Sequence, residues 1–318
     1  MALFLSEADV RQVLTVDMAL EAVEEAHREL ALGQAQDTPR ARTRLPRTAL
    51  HVLQGALPSQ RVIGYKAYTS NRSGNRFWVH LFDSETGEPT AIIAADFLGM
   101  MRTGAASGVA TRWLARSDAK TLGLFGAGWQ AEGHLRAVCA VRPIERVRVH
   151  ARRVDRLSEF CKRMSEALSI PVEPADSPAA TVEGADIVGT VTTASDPVFD
   201  AAGLAPGVHI NAAGSNALIR RELSEETLRR CSLICVDSIP TALAEAGDLF
   251  PFLEKGRTHP RQWVELGEIL IGRRSGRTAA DQITVFESQG LAVQDHALAV
   301  RILAAAQQQG LGVLLPHG

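Results

Sequence analysis

Aromatic residues, an excess of charge of one sign and long apolar runs are all absent or scarce in this sequence of 318 residues. Aromatic residues account for 5% of it, and 34 Lys+Arg against 36 Asp+Glu leave a formal net charge of −2. A near-neutral balance gives no electrostatic basis for binding nucleic acid or an anionic membrane surface. No stretch approaches the about 18 consecutive apolar residues that a membrane-spanning helix requires. We therefore expect neither a nucleic-acid nor a membrane partner.

Cysteine is also sparse. The four cysteines form no CxxC pair, and no neighbouring histidine completes a zinc-binding set, so we expect no metal site. The N-terminus lacks the basic region and the apolar segment of a signal peptide. These features predict a cytoplasmic protein with reduced thiols.

The remaining composition is typical of a globular protein, with 46% hydrophobic and 22% charged residues. At about 150 residues per domain, the length favours two domains. An amphipathic helix is predicted from Asp17 to the residues before Gly33. Strand-like runs at 62–69, 77–82 and 90–95 follow one another without helices, which predicts a mostly antiparallel sheet. The pattern then becomes helical from residue 96 to residue 114.

Strands and helices alternate from Lys120 onward, which indicates a parallel sheet with right-handed crossovers. Later strands are predicted at 186–191, 208–212, 233–237 and 282–286, and one long amphipathic helix at 290–309. The change of pattern near Ser117 marks the predicted junction between the two domains. The fold class is therefore α/β, with a doubly wound parallel sheet of the Rossmann type in the second domain.

A glycine-rich turn follows the first strand of this parallel sheet. It reads Gly126, Ala127, Gly128, Trp129, Gln130 and Ala131, which is the GxGxxA form of the dinucleotide fingerprint. The first glycine makes the tight turn, and the second lets the backbone approach a pyrophosphate at the helix N-terminus. Because a strand precedes the turn and a helix with a second strand follows it, the context supports a bound dinucleotide. The alternative is an ordinary glycine-rich turn.

The end of the second parallel strand indicates which dinucleotide is bound. An NAD-binding protein usually carries Asp or Glu there, whereas this chain has Arg152 and Arg153. Two guanidinium groups suit a 2′-phosphate and leave an NAD ribose without its acceptor. The alternative is a solvated basic helix start, although cations at a helix N-terminus oppose the helix dipole. We expect NADP(H) rather than NAD(H).

Three cations in the N-terminal third point to an anionic substrate. Lys66 lies in a predicted strand, Arg102 in a helix of small and apolar residues, and Arg42 in a basic stretch. A charge buried among apolar residues is costly unless it is paired, and a carboxylate pairs well with arginine. The alternatives are a structural ion pair for Arg102 and an exposed strand face for Lys66.

Seven segments, in this order, resemble the ornithine cyclodeaminase/mu-crystallin family. They are RTRLP (42–46), IGYKAY (63–68), FDSETG (82–87), MMRTGAAS (100–107), GLFGAGWQA (123–131), HINAAGSNALIRREL (209–223) and ITVFESQGLAVQD (283–295). The resemblance spans nearly the whole chain. The family includes cyclodeaminases, alanine dehydrogenases, imine and ketimine reductases, and a crystallin that binds NADPH.

The resemblance implies a discontinuous α+β domain for substrate binding and dimerisation, formed by residues 1–116 and completed by the helix 295–318. Residues 117–294 would form the Rossmann domain. By the same resemblance, Arg102 and Arg42 clamp a substrate carboxylate, and Lys66 lies beside the carboxylate and the reacting nitrogen. Thr103, Thr192 and Ser288 would contact the cofactor. The implied assembly is a homodimer.

Two departures from the family concern the reaction. Cyclodeaminases carry a catalytic Asp where this chain has Asn216, and an amide cannot act as a base near neutral pH. They also hold the distal amine of ornithine with an acidic residue before the lysine strand, but residues 48–62 include no Asp or Glu. Trp78, on the strand after the lysine strand, is a candidate apolar wall for the substrate, or alternatively a core residue.

We therefore expect NADPH-dependent reduction of a small α-imino acid, such as the cyclic ketimines Δ1-pyrroline-2-carboxylate and Δ1-piperideine-2-carboxylate. Lys66 would donate or orient a proton, and Asn216 would replace the family's Asp. One alternative is an ornithine cyclodeaminase or an alanine-type amino acid dehydrogenase. Another is a crystallin-like protein that binds NADPH and a small acid without turnover.

Overall fold

A computed structural model describes residues 2–316. The β-strands in this part of the chain are β1 Ala2–Leu5, β2 Gln36–Arg44, β3 Thr48–Leu57, β4 Val62–Asn71, β5 Gly74–Asp83, β6 Pro89–Ala94, β7 Thr121–Phe125, β8 Arg146–His150, β9 Val172–Pro174, β10 Ile187–Thr190, β11 His209–Ala212, β12 Leu233–Val236, β13 Val264–Glu265, β14 Thr284–Glu287 and β15 Val313–Leu315.

The α-helices are α1 Glu7–Val13, α2 Val16–Ala31, α3 Asp96–Leu114, α4 Trp129–Val141, α5 Val154–Leu168, α6 Pro178–Val182, α7 Glu225–Arg230, α8 Ile239–Glu245, α9 Phe250–Glu254, α10 Leu266–Leu270 and α11 Ala292–Gln308. No helix between residues 2 and 316 is long and apolar enough to cross a membrane.

The chain forms two compact units. Residues 2–102 and 291–316 form the discontinuous unit, and residues 103–290 form the central unit. The sequence pattern predicts the junction near residue 117, where the alternation of strands and helices begins. The structural division lies earlier because the end of α3 belongs to the central unit. There Arg142 donates hydrogen bonds to the carbonyl oxygens of Thr111, Arg112 and Ala115.

The discontinuous unit contains a seven-stranded sheet in the order β15-β1-β6-β5-β4-β3-β2. Strands β2 to β6 pair antiparallel, as predicted, whereas β1 pairs parallel with β6. The basic stretch around Arg42, which was not predicted to be extended, forms the edge strand β2. Helix α2 begins after Thr15, whose hydroxyl accepts a hydrogen bond from the Met18 amide, and it buries Leu20 and Val23.

The central unit contains an eight-stranded sheet in the order β13-β12-β14-β11-β10-β7-β8-β9, and its strand pairs are parallel. Ile187 and Val188, neighbours on β10, belong to two different buried apolar clusters. Successive side chains of a strand point to opposite faces, so both faces of this sheet are covered. The predicted fold class, α/β with a doubly wound parallel sheet, is confirmed. Binding sites in such sheets lie at the carboxyl ends of the strands.

Candidate functional site

The glycine-rich turn after β7 has the geometry that the fingerprint predicts. Gly126 has φ +109°, and a Cβ there would lie 2.8 Å from the carbonyl oxygen of Val191, so a larger residue does not fit. A Cβ on Gly128 would have no protein atom within 4 Å. The protein therefore does not require glycine at position 128, whereas a pyrophosphate lying against this backbone does.

A cavity of about 550 Å³ opens beside this turn. Its walls include Gly126 and Gly128, the segment 191–198 after β10, and three arginines, Arg152, Arg153 and Arg156. The size and the cationic lining fit a dinucleotide, whose phosphate groups are anionic. Arg152 and Arg153 were predicted from the sequence. Arg156 was missed, although its position three residues after Arg153 puts it on the same side of α5.

Three more predicted residues follow neighbouring strands. Thr192 comes after β10, Asn216 lies in the loop after β11, and Ser288 directly follows β14. These strands are adjacent in the order β14-β11-β10, so the three residues lie along one edge of the sheet. The Ser288 hydroxyl donates a hydrogen bond to Oδ2 of Asp237 at 3.1 Å.

The other residues predicted for the cofactor lie on helices of the central unit. Trp129 and Gln130 begin α4, directly after the N-cap Gly128. No side chain caps this helix end, which leaves its N-terminus available to a phosphate. Thr103 lies on α3 and is the first residue of the central unit.

Lys66 lies in the middle of β4, and its ammonium group is buried. Nζ donates a hydrogen bond to Oδ1 of Asp295 at 2.7 Å and lies 5.4 Å from the centre of the Phe77 ring. Leu53 and Val79 lie directly opposite Lys66 on the two neighbouring strands. The lysine side chain thus stands among apolar residues, with a single carboxylate as its counter-ion.

Arg102, on α3, contacts the same carboxylate. Its Nε donates to Oδ1 of Asp295 at 3.0 Å, and its Nη1 donates to Oε1 of Gln294 at 3.2 Å. Nε2 of Gln294 in turn donates to the ring of His27 at 3.0 Å. Burial lowers the pKa of His27 to about 4, so the ring is neutral at pH 7 and can accept this bond.

Lys66, Arg102 and Asp295, which we call the cationic cluster, carry two positive charges and one negative charge. All three are less than 10% exposed. Both cations donate to the same oxygen, and Oδ2 of Asp295 has no hydrogen-bond partner among the described residues. One buried positive charge therefore lacks a counter-ion within the cluster, which is an arrangement that favours a bound anion.

Burial lowers the pKa of Lys66 to about 8. The negative charge of Asp295 opposes this effect and raises the pKa, while the charges of Arg102 and Arg40 lower it further. Burial alone would raise the pKa of Asp295, but Arg102 and Lys66 hold it below its ordinary value. Lys66 can consequently exchange a proton near neutral pH, as a general acid must.

Arg42 lies on the same face of the sheet as Lys66. It pairs with His51 across β2 and β3, and His51 pairs with Tyr68, two residues along β4 from Lys66. Among the residues of β2, however, it is Arg40 whose charge lowers the pKa of Lys66. Burial, followed by the charges of Arg42, Arg40 and Arg44, lowers the pKa of His51 to about 4. The edge strand β2 therefore adds the positive charges of several arginines near the sheet face that carries Lys66.

The structure separates Trp78 from the cationic cluster. Trp78 pairs with Ala67, whereas its neighbour Val79 pairs with Lys66. Because successive residues alternate between the faces of a strand, Trp78 lies on the opposite face, where its ring is 5.9 Å from that of Phe4. The expectation that Trp78 lines the site of Lys66 is therefore not met within this unit. Phe77 and Leu53 supply apolar surface instead.

Sequence reasoning also missed Asp295. The segment 283–295 that contains it carries part of the family resemblance, but its sequence predicts no role for Asp295. Asp295 shares one face of α11 with Ala299, Ile302 and Ala306, all of them buried. An acidic residue on the apolar face of a helix requires a buried cation, and this pattern could have identified it.

Together, the parallel sheet and its glycine-rich turn define a dinucleotide-binding protein of the Rossmann class. The profile of the ornithine cyclodeaminase/mu-crystallin family matches residues 1–310. The chain belongs to this family.

Several relatives act on small imino or amino acids. A Δ1-pyrroline-2-carboxylate reductase of Bacillus cereus is 40% identical over 235 residues, 74% of this chain and 72% of the relative. The solved Δ1-pyrroline-2-carboxylate reductase of Thermococcus litoralis, in complex with NADH and L-proline, has a TM-score of 0.95 at 32% identity and covers 98% of this chain and 100% of its own. An archaeal alanine dehydrogenase dimer with bound NAD has a TM-score of 0.92 at 30% identity, covering 98% of each chain.

These similarities confirm the predicted enzyme class, an oxidoreductase of imines or ketimines. They also support a nicotinamide cofactor, since NADH or NAD is bound in both solved relatives.

Proposed function

We propose that this protein reduces a small cyclic α-imino acid, such as Δ1-pyrroline-2-carboxylate, to the corresponding amino acid with NADPH. The observation that carries the proposal is the buried positive charge of the cationic cluster, two cations on one oxygen of Asp295. An α-imino acid brings the carboxylate that this charge requires, and it places a nitrogen beside the carbon that bears the carboxylate.

The residues of the cluster have separable roles. Arg102 would hold the substrate carboxylate with Nη2, since its Nε and Nη1 are engaged by Asp295 and Gln294. Lys66 would give its proton to the imine nitrogen, which a pKa of about 8 permits near neutral pH. Arg42 and Arg40 add positive potential on the same face. A bound nicotinamide would supply the hydride to the imine carbon.

NADPH is proposed over NADH because of the cavity beside the glycine-rich turn. Arg152, Arg153 and Arg156 line it, and guanidinium groups bind a phosphate through charge-assisted hydrogen bonds. Asp196 also lines the cavity, on the segment after β10. Asp196 therefore does not occupy the position after β8 where an NAD-binding protein carries Asp or Glu and where this chain has Arg152 and Arg153.

A cyclic substrate is proposed over ornithine because the one carboxylate of the cationic cluster, Asp295, is already shared by Lys66 and Arg102 and has no net negative charge left for a second amine. Leu53, buried and directly opposite Lys66, presents a methyl-terminated side chain there. A cationic amine taken out of water needs a carboxylate or several strong acceptors, whereas a ring methylene fits an apolar wall. Asn216, at the edge of the parallel sheet, would bind through hydrogen bonds without acting as a base.

A homodimer is part of this proposal, and it is supported by the dimer in the alanine dehydrogenase structure. The face of the antiparallel sheet opposite Lys66 carries Ile63, 47% exposed, beside Phe82, and Trp78, 37% exposed, with the stacked rings of Tyr65 and His80 between them. A contiguous exposed apolar face of this kind is typical of a subunit interface.

The four free thiols support the predicted cytoplasmic location.

A screen of NADPH oxidation over linear and cyclic α-imino acids tests the proposal. We expect the highest kcat/KM with a five- or six-membered cyclic ketimine acid. Faster reduction of an open-chain imino acid, such as that formed from pyruvate and ammonia, would instead identify an alanine-type dehydrogenase. Tight NADPH binding without oxidation by any imino acid would identify a crystallin-like binding protein.

A further inference from the structure

Glu222 is a fully buried carboxylate in the central unit that has no role in the proposed reaction so far. It lies in the segment between β11 and α7, its exposure is 0%, and no lysine or arginine of the described chain pairs with it. A buried carboxylate without a cation is costly unless several donors satisfy it. The hydrogen bonds that Glu222 accepts therefore indicate its role.

The carboxylate of Glu222 joins two loops at the carboxyl edge of the sheet. Oε1 accepts a hydrogen bond from the amide of Thr192 at 2.6 Å, directly after β10. Oε2 accepts from the amide of Gly214 at 2.9 Å, after β11, and from the hydroxyl of Thr190 at 2.9 Å. A Cβ on Gly214 would lie 2.5 Å from either oxygen, so the approach leaves no room for a side chain.

The main chain around Glu222 holds the first of these loops at two further points. Its carbonyl oxygen accepts a hydrogen bond from the amide of Val198 at 2.9 Å, and the amide of Arg221 donates to the carbonyl of Ala194 at 3.1 Å. Thr192, Ala194 and Val198 all line the cavity that would hold the dinucleotide. One wall of this cavity is thus attached to Glu222 along most of its length.

A second buried acid, Asp248, fixes Glu222 itself. Oδ1 of Asp248 accepts hydrogen bonds from the amides of Glu222 and Leu223, each at 2.6 Å. The main chain at Glu222 is therefore held from one side by Asp248, while its carboxylate holds the loops after β10 and β11.

We propose that Glu222 is a positioning residue for the cofactor, which holds the segment 192–198 as a wall of the dinucleotide cavity and ties it to the loop that carries Asn216. The inference rests on the proposed function, since it assumes that this cavity binds the nicotinamide cofactor. Glu222 acts through the loops and contacts no reacting atom.

Glu222→Gln tests the proposal with little change of volume. The amide group replaces one acceptor oxygen by a donor, which then faces the amide of Thr192 or Gly214. We expect the Kd of NADPH, measured by fluorescence titration without imino acid, to rise about tenfold, as the loss of one buried hydrogen bond that holds the wall predicts. The KM of the imino acid at saturating NADPH should rise much less than this Kd, because Lys66 and Arg102 belong to the discontinuous unit and only Asn216 lies on a loop that Glu222 holds.

Asp186→Asn is the matched control. Asp186 accepts hydrogen bonds from the amides of Lys120 and Thr121, at the amino end of β7 and hence at the opposite edge of the same sheet. This variant should melt at a lower temperature than the unmodified protein and bind NADPH with the same Kd. If Glu222→Gln does not fold, Thr190→Val removes a single bond to the carboxylate, and we expect a smaller rise in the Kd.

The titrations are performed with both NADPH and NADH, so that the result does not depend on the cofactor preference. An unchanged Kd in Glu222→Gln, together with a melting temperature lowered as in Asp186→Asn, would overturn the positioning role while the proposed reaction stands. Conversely, a tenfold weaker cofactor binding in a protein that reduces no imino acid would support the positioning role and refute the proposed reaction.

Discussion

Lys66 donates a hydrogen bond to Asp295 over 2.7 Å, although 229 residues separate the two in the sequence. Helix α11 thereby supplies the counter-ion for a lysine on β4, between the antiparallel strands β3 and β5. The same oxygen of Asp295 also accepts from Arg102. This shared carboxylate leaves one positive charge uncompensated, and the following predictions depend on it.

Removing the charge of Asp295 should alter the titration of Lys66. The negative charge of Asp295 raises the pKa of Lys66, which burial otherwise lowers to about 8. In Asp295→Asn we expect this pKa to fall by about one unit or more, so that reduction is lost at a lower pH than in the unmodified protein. A pH profile of kcat measures the shift, and an identical alkaline limit in both proteins would contradict it. The melting temperature should also fall, because two buried cations lose their counter-ion.

Lys66→Met should abolish the alkaline limit of the unmodified enzyme. If the ammonium form donates the proton, kcat for reduction falls as the pH rises through about 8, since the acid is then deprotonated. The variant lacks the acid at every pH, and we expect a loss of kcat of about 10²-fold to 10⁴-fold. An unchanged kcat across pH would limit Lys66 to binding the substrate.

Arg102→Ala should raise the KM of the imino acid. A charge-assisted interaction with a carboxylate contributes about 1.5–3 kcal/mol, which corresponds to roughly a 10-fold to 100-fold change. Arg102→Lys keeps the charge without the planar guanidinium group, and its KM should lie between those of Arg102→Ala and the unmodified protein. If Arg102 only stabilises the fold through Asp295, thermal melting will show a loss of stability with an unchanged KM.

Exchange of the cavity arginines should change the cofactor preference. The unmodified protein should have a lower KM for NADPH than for NADH. In the double variant Arg152→Asp, Arg153→Ala we expect the preference to move toward NADH, because the phosphate loses its partners and the ribose gains an acceptor. Arg156→Ala, which removes the third arginine of the cavity, should weaken the binding of NADPH and leave the binding of NADH unchanged. Equal kinetics of the unmodified protein with both cofactors would refute the prediction.

Ornithine should not be a substrate. We expect NADPH oxidation with a cyclic ketimine acid and negligible release of ammonia from ornithine, even with cofactor present, because Leu53 and Asn216 provide no carboxylate for the distal amine and two cations already share Asp295. Both reactions are measured on one preparation. Formation of proline and ammonia at a rate equal to ketimine reduction would restore the cyclodeaminase.

Much of the cofactor half could be predicted from the sequence because its signals are local. The turn of Gly126 and Gly128 depends on neighbouring residues, and Arg152 follows the next strand along the chain. The periodicity of α2 and the alternation of strands and helices after Lys120 are likewise local patterns. The basic strand β2 was missed because its arginines conceal the alternation of faces that marks a strand.

Local patterns in the amino-acid sequence suffice to predict two domains, a dinucleotide-binding turn and three candidate cations for an anion. They do not show which of these groups meet. The fold brings Asp295 to both Lys66 and Arg102, and it puts Trp78 on the other face of the sheet. These contacts depend on strand register and on the packing of α11 against distant strands, and neither can be read from a short stretch of residues.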